Sequence, residues 1–151
     1  MGRSRCSLLV ILLSLFAIVG CDLVPTPEPR LPPTQVVDAF YRWYVGYPGN
    51  PMVDRSYRDS PYLADSFIDE VDTLLASMER GGADPFLLAQ DIPDRYAVTD
   101  AQVDGNQATA ILSLYWPGNE TPSLRTVEPG RDARSWQITA VYLVDVVTPD
   151  P

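Results

Sequence analysis

Three aspartates and two tyrosines give this chain its clearest potential for acid–base chemistry. Asp84, Asp91 and Asp94 fall in one short stretch, and Tyr41 and Tyr44 stand about one helical turn apart. Brought together, a carboxylate would act as general base and a phenol as hydroxyl donor. The same residues also have a structural reading. Asp84 would cap a turn while Gln90 and Asp91 hydrogen-bond loop backbone, pinning helix to sheet. Spacing alone fixes no geometry, so both readings stand. Other chemistry is excluded by composition. The chain has no His, and its two Cys are Cys6 and Cys21.

Cys21 ends the second chemical constellation. Ile18-Val19-Gly20-Cys21 closes an apolar run, Leu8 to Val19, that follows Arg3 and Arg5. This order resembles the cleavage and lipidation site of bacterial lipoproteins, which implies a diacylglyceryl thioether on Cys21 and removal of residues 1–20. The apolar run falls short of the roughly 20 residues that span a bilayer. An N-myristoylation signal at Gly2 is incomplete, because Cys6 stands where Ser or Thr is needed. The expectation is a protein anchored to the cell membrane through Cys21, facing the extracytoplasmic side. Loss of Cys6 with the signal then leaves no intrachain disulfide, no Cys/His zinc site and no Ser-His or Cys-His pair. Neither a metal nor a cofactor is expected.

The full chain of 151 residues carries 11 basic and 20 acidic groups, a net charge of −9. Removing Arg3 and Arg5 leaves 9 basic against 20 acidic, near −11. Such a charge opposes nucleic acid, whose binding needs cations against phosphates. It also repels an anionic lipid surface, so the bilayer would be met by acyl chains alone. Every basic residue is Arg, a composition from which no function follows.

The elements that must position these residues read in order. Residues 21–33 hold the lipidated Cys and a linker with Pro25, Pro27, Pro29, Pro32 and Pro33. Proline at this density favours an extended spacer, at about 3.1 Å per residue. Thr34 is expected to cap a helix whose Val36, Val37, Phe40, Trp43 and Tyr44 recur at helical spacing and which Gly46 ends. Ser60-Pro61 should open a second helix carrying Leu63, Phe67, Val71, Leu74, Leu75 and Met78, stopped by Gly81-Gly82. Asp65, Asp69 and Asp72 would occupy its solvent face; a cation site is the rarer use of such a row. Asp84-Pro85 would start one short helical turn.

From Tyr96 the pattern becomes β. A strand Tyr96–Val103 leads to a hairpin at Asp104-Gly105-Asn106. A strand Ala108–Trp116 turns Ala108, Ala110, Leu112, Leu114 and Trp116 to one side. Leu124–Val127 forms a third strand, and Pro129–Asp132 a turn. Ser135–Val144 closes the sheet, with Trp136, Ile138, Ala140 and Tyr142 on one face. The domain spans 34–147, and residues 148–151 form a tail. Helices first and strands after make an α+β fold, with N-terminal helices against a curved antiparallel sheet of about four strands.

Val37-x-x-Phe40-Tyr41-x-Trp43-Tyr44, then Asp84-Pro85-Phe86-Leu87-x-Ala89-Gln90-Asp91-x-Pro93, then Trp136-x-Ile138-x-x-Val141 resembles the domain-of-unknown-function 3828 family. The resemblance implies a cone-shaped α+β fold, similar to that typified by nuclear transport factor 2 and ketosteroid isomerase. It also implies an envelope lipoprotein, with no enzymatic activity to carry over. Two functions follow for comparison with the structure. One is a non-catalytic module engaging an envelope protein or a small apolar ligand. The other is a small cone-fold enzyme using Asp and Tyr for proton transfer on an apolar ligand. An open pocket with converging polar groups would favour the enzyme, and a cone filled by Phe40, Trp43 and Phe67 the module.

Overall fold

The computed structural model describes residues 30–78, 82–132 and 135–144. The signal segment 1–20, Cys21, the linker before Arg30, Gly81 and the tail 148–151 lie outside the described residues. What is described is α+β: two N-terminal helices packed on an open, five-stranded antiparallel sheet. One more strand is present than the alternation suggests.

Helix α1 runs Pro33–Val45. Proline suits its first turn because the missing N–H would have no partner inside the helix. The buried positions are Pro33, Val36, Val37, Phe40, Tyr41 and Tyr44, so Tyr41 joins the apolar stripe while Trp43 is half-buried. Thr34 does not cap this helix, which has no side-chain cap. Its hydroxyl instead accepts the backbone N–H of Ala101 at 2.8 Å, tying the helix start to the sheet.

Helix α2 runs Asp65–Ser77 and begins later than Ser60-Pro61 implied. Pro61 and Tyr62 make a turn, and Leu63 then forms an isolated parallel bridge with Ile138 of the sheet. Ile138 N–H donates to Tyr62 O at 2.8 Å, and Ala64 N–H donates to Ile138 O at 3.0 Å. The backbone committed to that parallel bridge cannot also close a helical turn. A short 3₁₀ turn, Ser56–Asp59, precedes it. Asp72 is not a free surface acid. It accepts from the Tyr57 hydroxyl and from Arg58 Nε at 3.0 Å.

The strands are β1 (Arg95–Val98), β2 (Gln102–Asp104), β3 (Gln107–Tyr115), β4 (Ser123–Arg131) and β5 (Trp136–Leu143). β1 and β2 both pair with the same edge of β3, followed by β4 and β5. They are the expected first strand cut in two. Thr99 uses its hydroxyl to accept Ile111 N–H at 3.0 Å, and the Ala101 N–H turns away to Thr34. Asp104-Gly105-Asn106 makes the predicted turn, with Gly105 at φ +58°.

Pro129 and Gly130 continue β4 instead of turning the chain. The ladder absorbs the proline, which has no N–H to give, through an irregularity at Glu128/Pro129. Glu128 faces Ala140 while Pro129 faces Ile138, so Thr139 is the extra residue, and its hydroxyl donates to Glu128 O at 2.7 Å. This bulge shifts the inward phase of β5. Trp136 and Ile138 are buried, then Val141, whereas Ala140 is half-buried and Tyr142 is exposed.

The core fills the space between helices and sheet. Ala108, Ala110, Leu112 and Leu114 of β3 and Val127 of β4 meet α1, while Phe67 and Val71 of α2 close the side toward β5. Each large apolar side chain fully buried there is worth about 1.5–3 kcal/mol.

Candidate functional site

Asp84 begins a compact turn held from three directions. Its backbone N–H donates to Ala89 O at 2.8 Å, and Leu88 N–H donates back to Asp84 O at 2.7 Å. Asp84 Oδ1 accepts Phe86 N–H at 2.8 Å and Leu87 N–H at 3.1 Å. The expected helical turn is therefore a capped loop, with Asp84 supplying acceptors that no helix provides. Leu88 sits at φ +50°, a left-handed conformation that costs a non-glycine residue about 1–2 kcal/mol.

Helix α1 grips this loop with both tyrosines. Tyr44 donates its hydroxyl to Asp84 Oδ2, and Tyr41 donates to Phe86 O at 2.8 Å. Phe86 inserts among Phe40, Tyr44, Tyr57 and Phe67, with ring centroids 5.2–5.7 Å apart in tilted or edge-on arrangements. Such contacts add roughly 0.5–1.5 kcal/mol per pair beyond area burial.

Burial raises the pKa of both phenols far above the usual tyrosine value, and the nearby Asp84 raises them further. Burial also raises Asp84 above the ordinary carboxylate range, opposed by the hydrogen bonds from Tyr44, Phe86 and Leu87. In the Tyr44–Asp84 pair the phenol is the donor. Proton abstraction by Asp84 would have to break into its own cap.

A third anchor escaped the reading of the residues. Arg125 on β4 is 4% exposed. Its Nε donates to Leu87 O at 2.6 Å, one Nη to Leu88 O at 3.2 Å, and the other to Ser123 Oγ at 2.7 Å and Leu124 O at 2.8 Å. Among the described residues no carboxylate lies within 4.0 Å of its guanidinium. The loop carbonyls satisfy the fork where a counter-ion would be usual. One signal for it was available: Arg125 shares its strand phase with the buried Val127.

The other candidates lie apart from this grip. Gln90 and Asp91 are exposed beyond the loop, and Asp91 O accepts the Trp116 indole N–H at 3.1 Å. Asp94 is exposed before β1, its N–H donating to Tyr115 O. Among these candidates the side chains of Tyr44 and Asp84 meet directly. Cys21 lies outside the described residues. The described residues contain no group of three or more His, Cys, Asp or Glu placed to hold a metal ion.

Concave surface lies outside the core. A groove of about 620 Å³ runs beside Trp43, Tyr47 and Tyr62. A second, of about 320 Å³, lies between the Asn50–Val53 turn, the end of α2 and Asp84.

No protein-family model matches the chain, and no curated protein sequence matches it. The family resemblance therefore rests on residue order alone. Solved structures do match. The chain is similar in fold to the immunity protein Tai3 in the crystal structure of the type VI native effector–immunity complex Tae3–Tai3 from Ralstonia pickettii. The identity is 22% and the TM-score 0.59, over 74% of this chain and 94% of that one. The selenomethionine form of the same complex gives 20% identity and a TM-score of 0.58, over 75% and 97%.

Proposed function

We propose that this chain is a non-catalytic binding module of the bacterial envelope, anchored by lipid on Cys21, which holds an effector-type protein. The observation that carries the reading is the fold shared with an immunity protein over 94% of that protein's length. The site chemistry agrees. Tyr44 and Tyr41 spend their hydroxyls on Asp84 and on loop backbone, and Asp84 caps that loop, behind a core packed by Phe40, Phe67 and Phe86. The grooves open outward, where a protein surface can reach them. A tether of prolines would hold the acidic body off the membrane while leaving those grooves free.

Two measurements test the two halves of this proposal. Full-length protein should partition into the detergent phase, and Cys21→Ser should move it to the aqueous phase; unchanged partitioning rejects the anchor. Crosslinking in intact cells should trap the chain with one exported protein at equal stoichiometry, and that protein should bind the purified full chain. Turnover of a small molecule by the purified chain, with no protein trapped, rejects the binding role.

A further inference from the structure

The groove beside Asp84 has an unusual balance of surface. Met52, Val53, Leu75, Met78 and Ile92 supply apolar lining, and among the described residues Asp84 is the one ionisable group that lines the groove. A carboxylate offers about four acceptor positions. Phe86, Leu87 and Tyr44 occupy three of them on Asp84. No described Arg lies within 4.0 Å of it. Part of the groove's apolar lining is exposed: Val53 by 80% and Ile92 by 43%.

We propose that this groove seats one Lys or Arg side chain of the partner protein, its methylenes along Met52, Leu75 and Met78 and its charged head on Asp84. The inference rests on the binding role proposed above and locates its surface. The chemistry of the lining selects this occupant. A purely apolar plug would strip water from Asp84 and return no countercharge, which is costly. A bare metal ion would find one carboxylate and leave the apolar walls wet. A side chain with an aliphatic stem and a cationic end satisfies both parts. The two methionines adapt to such a stem without needing one fixed shape. A chain of net charge −9 also favours a basic partner in encounter and in register. The larger groove selects less clearly, since its Arg42 is already paired with Asp38 and it also holds Asp59.

The test places a photo-crosslinking amino acid at Val53, or at Tyr142 on β5, in the full chain in intact cells. The expected result is one protein trapped from Val53, through a peptide containing Lys or Arg whose replacement by Met abolishes the adduct. Asp84→Asn keeps an oxygen for the cap and should lower that adduct about tenfold or more. Met78→Arg, which fills the groove with an internal cation and leaves the cap untouched, should do the same even where Asp84→Asn folds poorly. An adduct from Tyr142 alone overturns the groove and leaves the binding role standing. An adduct from Val53 that both variants leave unchanged overturns the cation. Protein adducts from neither position overturn the groove and the binding role together.

Discussion

Tyr44 and Asp84, 40 residues apart in the chain, share one hydrogen bond that joins the last turn of α1 to the loop entering the sheet domain. Because Asp84 also caps two N–H groups, this contact fixes the loop's start as well as its distance from the helix. The pair that looked like a proton-transfer couple is, in this geometry, a joint.

Asp84 should make the fold less stable as pH rises from the ordinary carboxylate range. Its folded pKa is raised by burial, so the folded state holds more protons than the unfolded state between the ordinary and the raised value. Stability from this group falls through that window and is flat above it. Asp84→Asn removes the titration. Urea unfolding at a series of pH values should show the variant gaining on the native chain as pH rises above the ordinary carboxylate range; a constant difference would count against the assignment.

Tyr41→Phe should destabilise the fold by about 1–3 kcal/mol, because it leaves Phe86 O buried without its donor. The ring packing survives, so near-ultraviolet circular dichroism should keep its aromatic signature while the denaturation midpoint drops.

Arg125→Met and Arg125→Lys should each cost about 2–4 kcal/mol, since either change orphans loop carbonyls at Leu87 and Leu88. Lysine should rescue little. Its ammonium keeps the charge, loses the planar fork and is harder to desolvate. Chemical denaturation that finds Lys equal to Arg would show that charge, not the fork, holds the loop.

Gly130→Ala should destabilise by about 1–3 kcal/mol. A Cβ there would stand 2.7 Å from Thr139 Cγ2. Thr139→Ser removes that methyl while keeping the hydroxyl that reaches Glu128 O. The double variant should recover most of the loss, a coupling that thermal melts of the two singles and the double would reveal.

Local pattern was enough for the elements whose signal is periodic. Val36, Val37, Phe40 and Tyr44 announce α1 at three- and four-residue steps, and Ala108 to Leu114 announce β3 by alternation. Both periods are properties of one segment, set by where successive side chains point. Asp104-Gly105 announces its turn because the backbone there needs a positive φ. What remained was decided across space. Thr34 looks like a cap until Ala101, 67 residues on, takes its oxygen. Pro129 looks like a turn until Thr139 bulges opposite it and lets the ladder pass. Ser60-Pro61 looks like a helix start until Ile138 ties Tyr62 and Ala64 to the sheet through one parallel bridge. Arg125 looks like a surface charge on a strand, and only carbonyls from residues 87 and 88 make its burial tolerable. The sequence determined which segments have an apolar face and of what period. Tertiary structure decided which polar group satisfies which, because a hydrogen bond is chosen by whatever partner the packed core brings within reach.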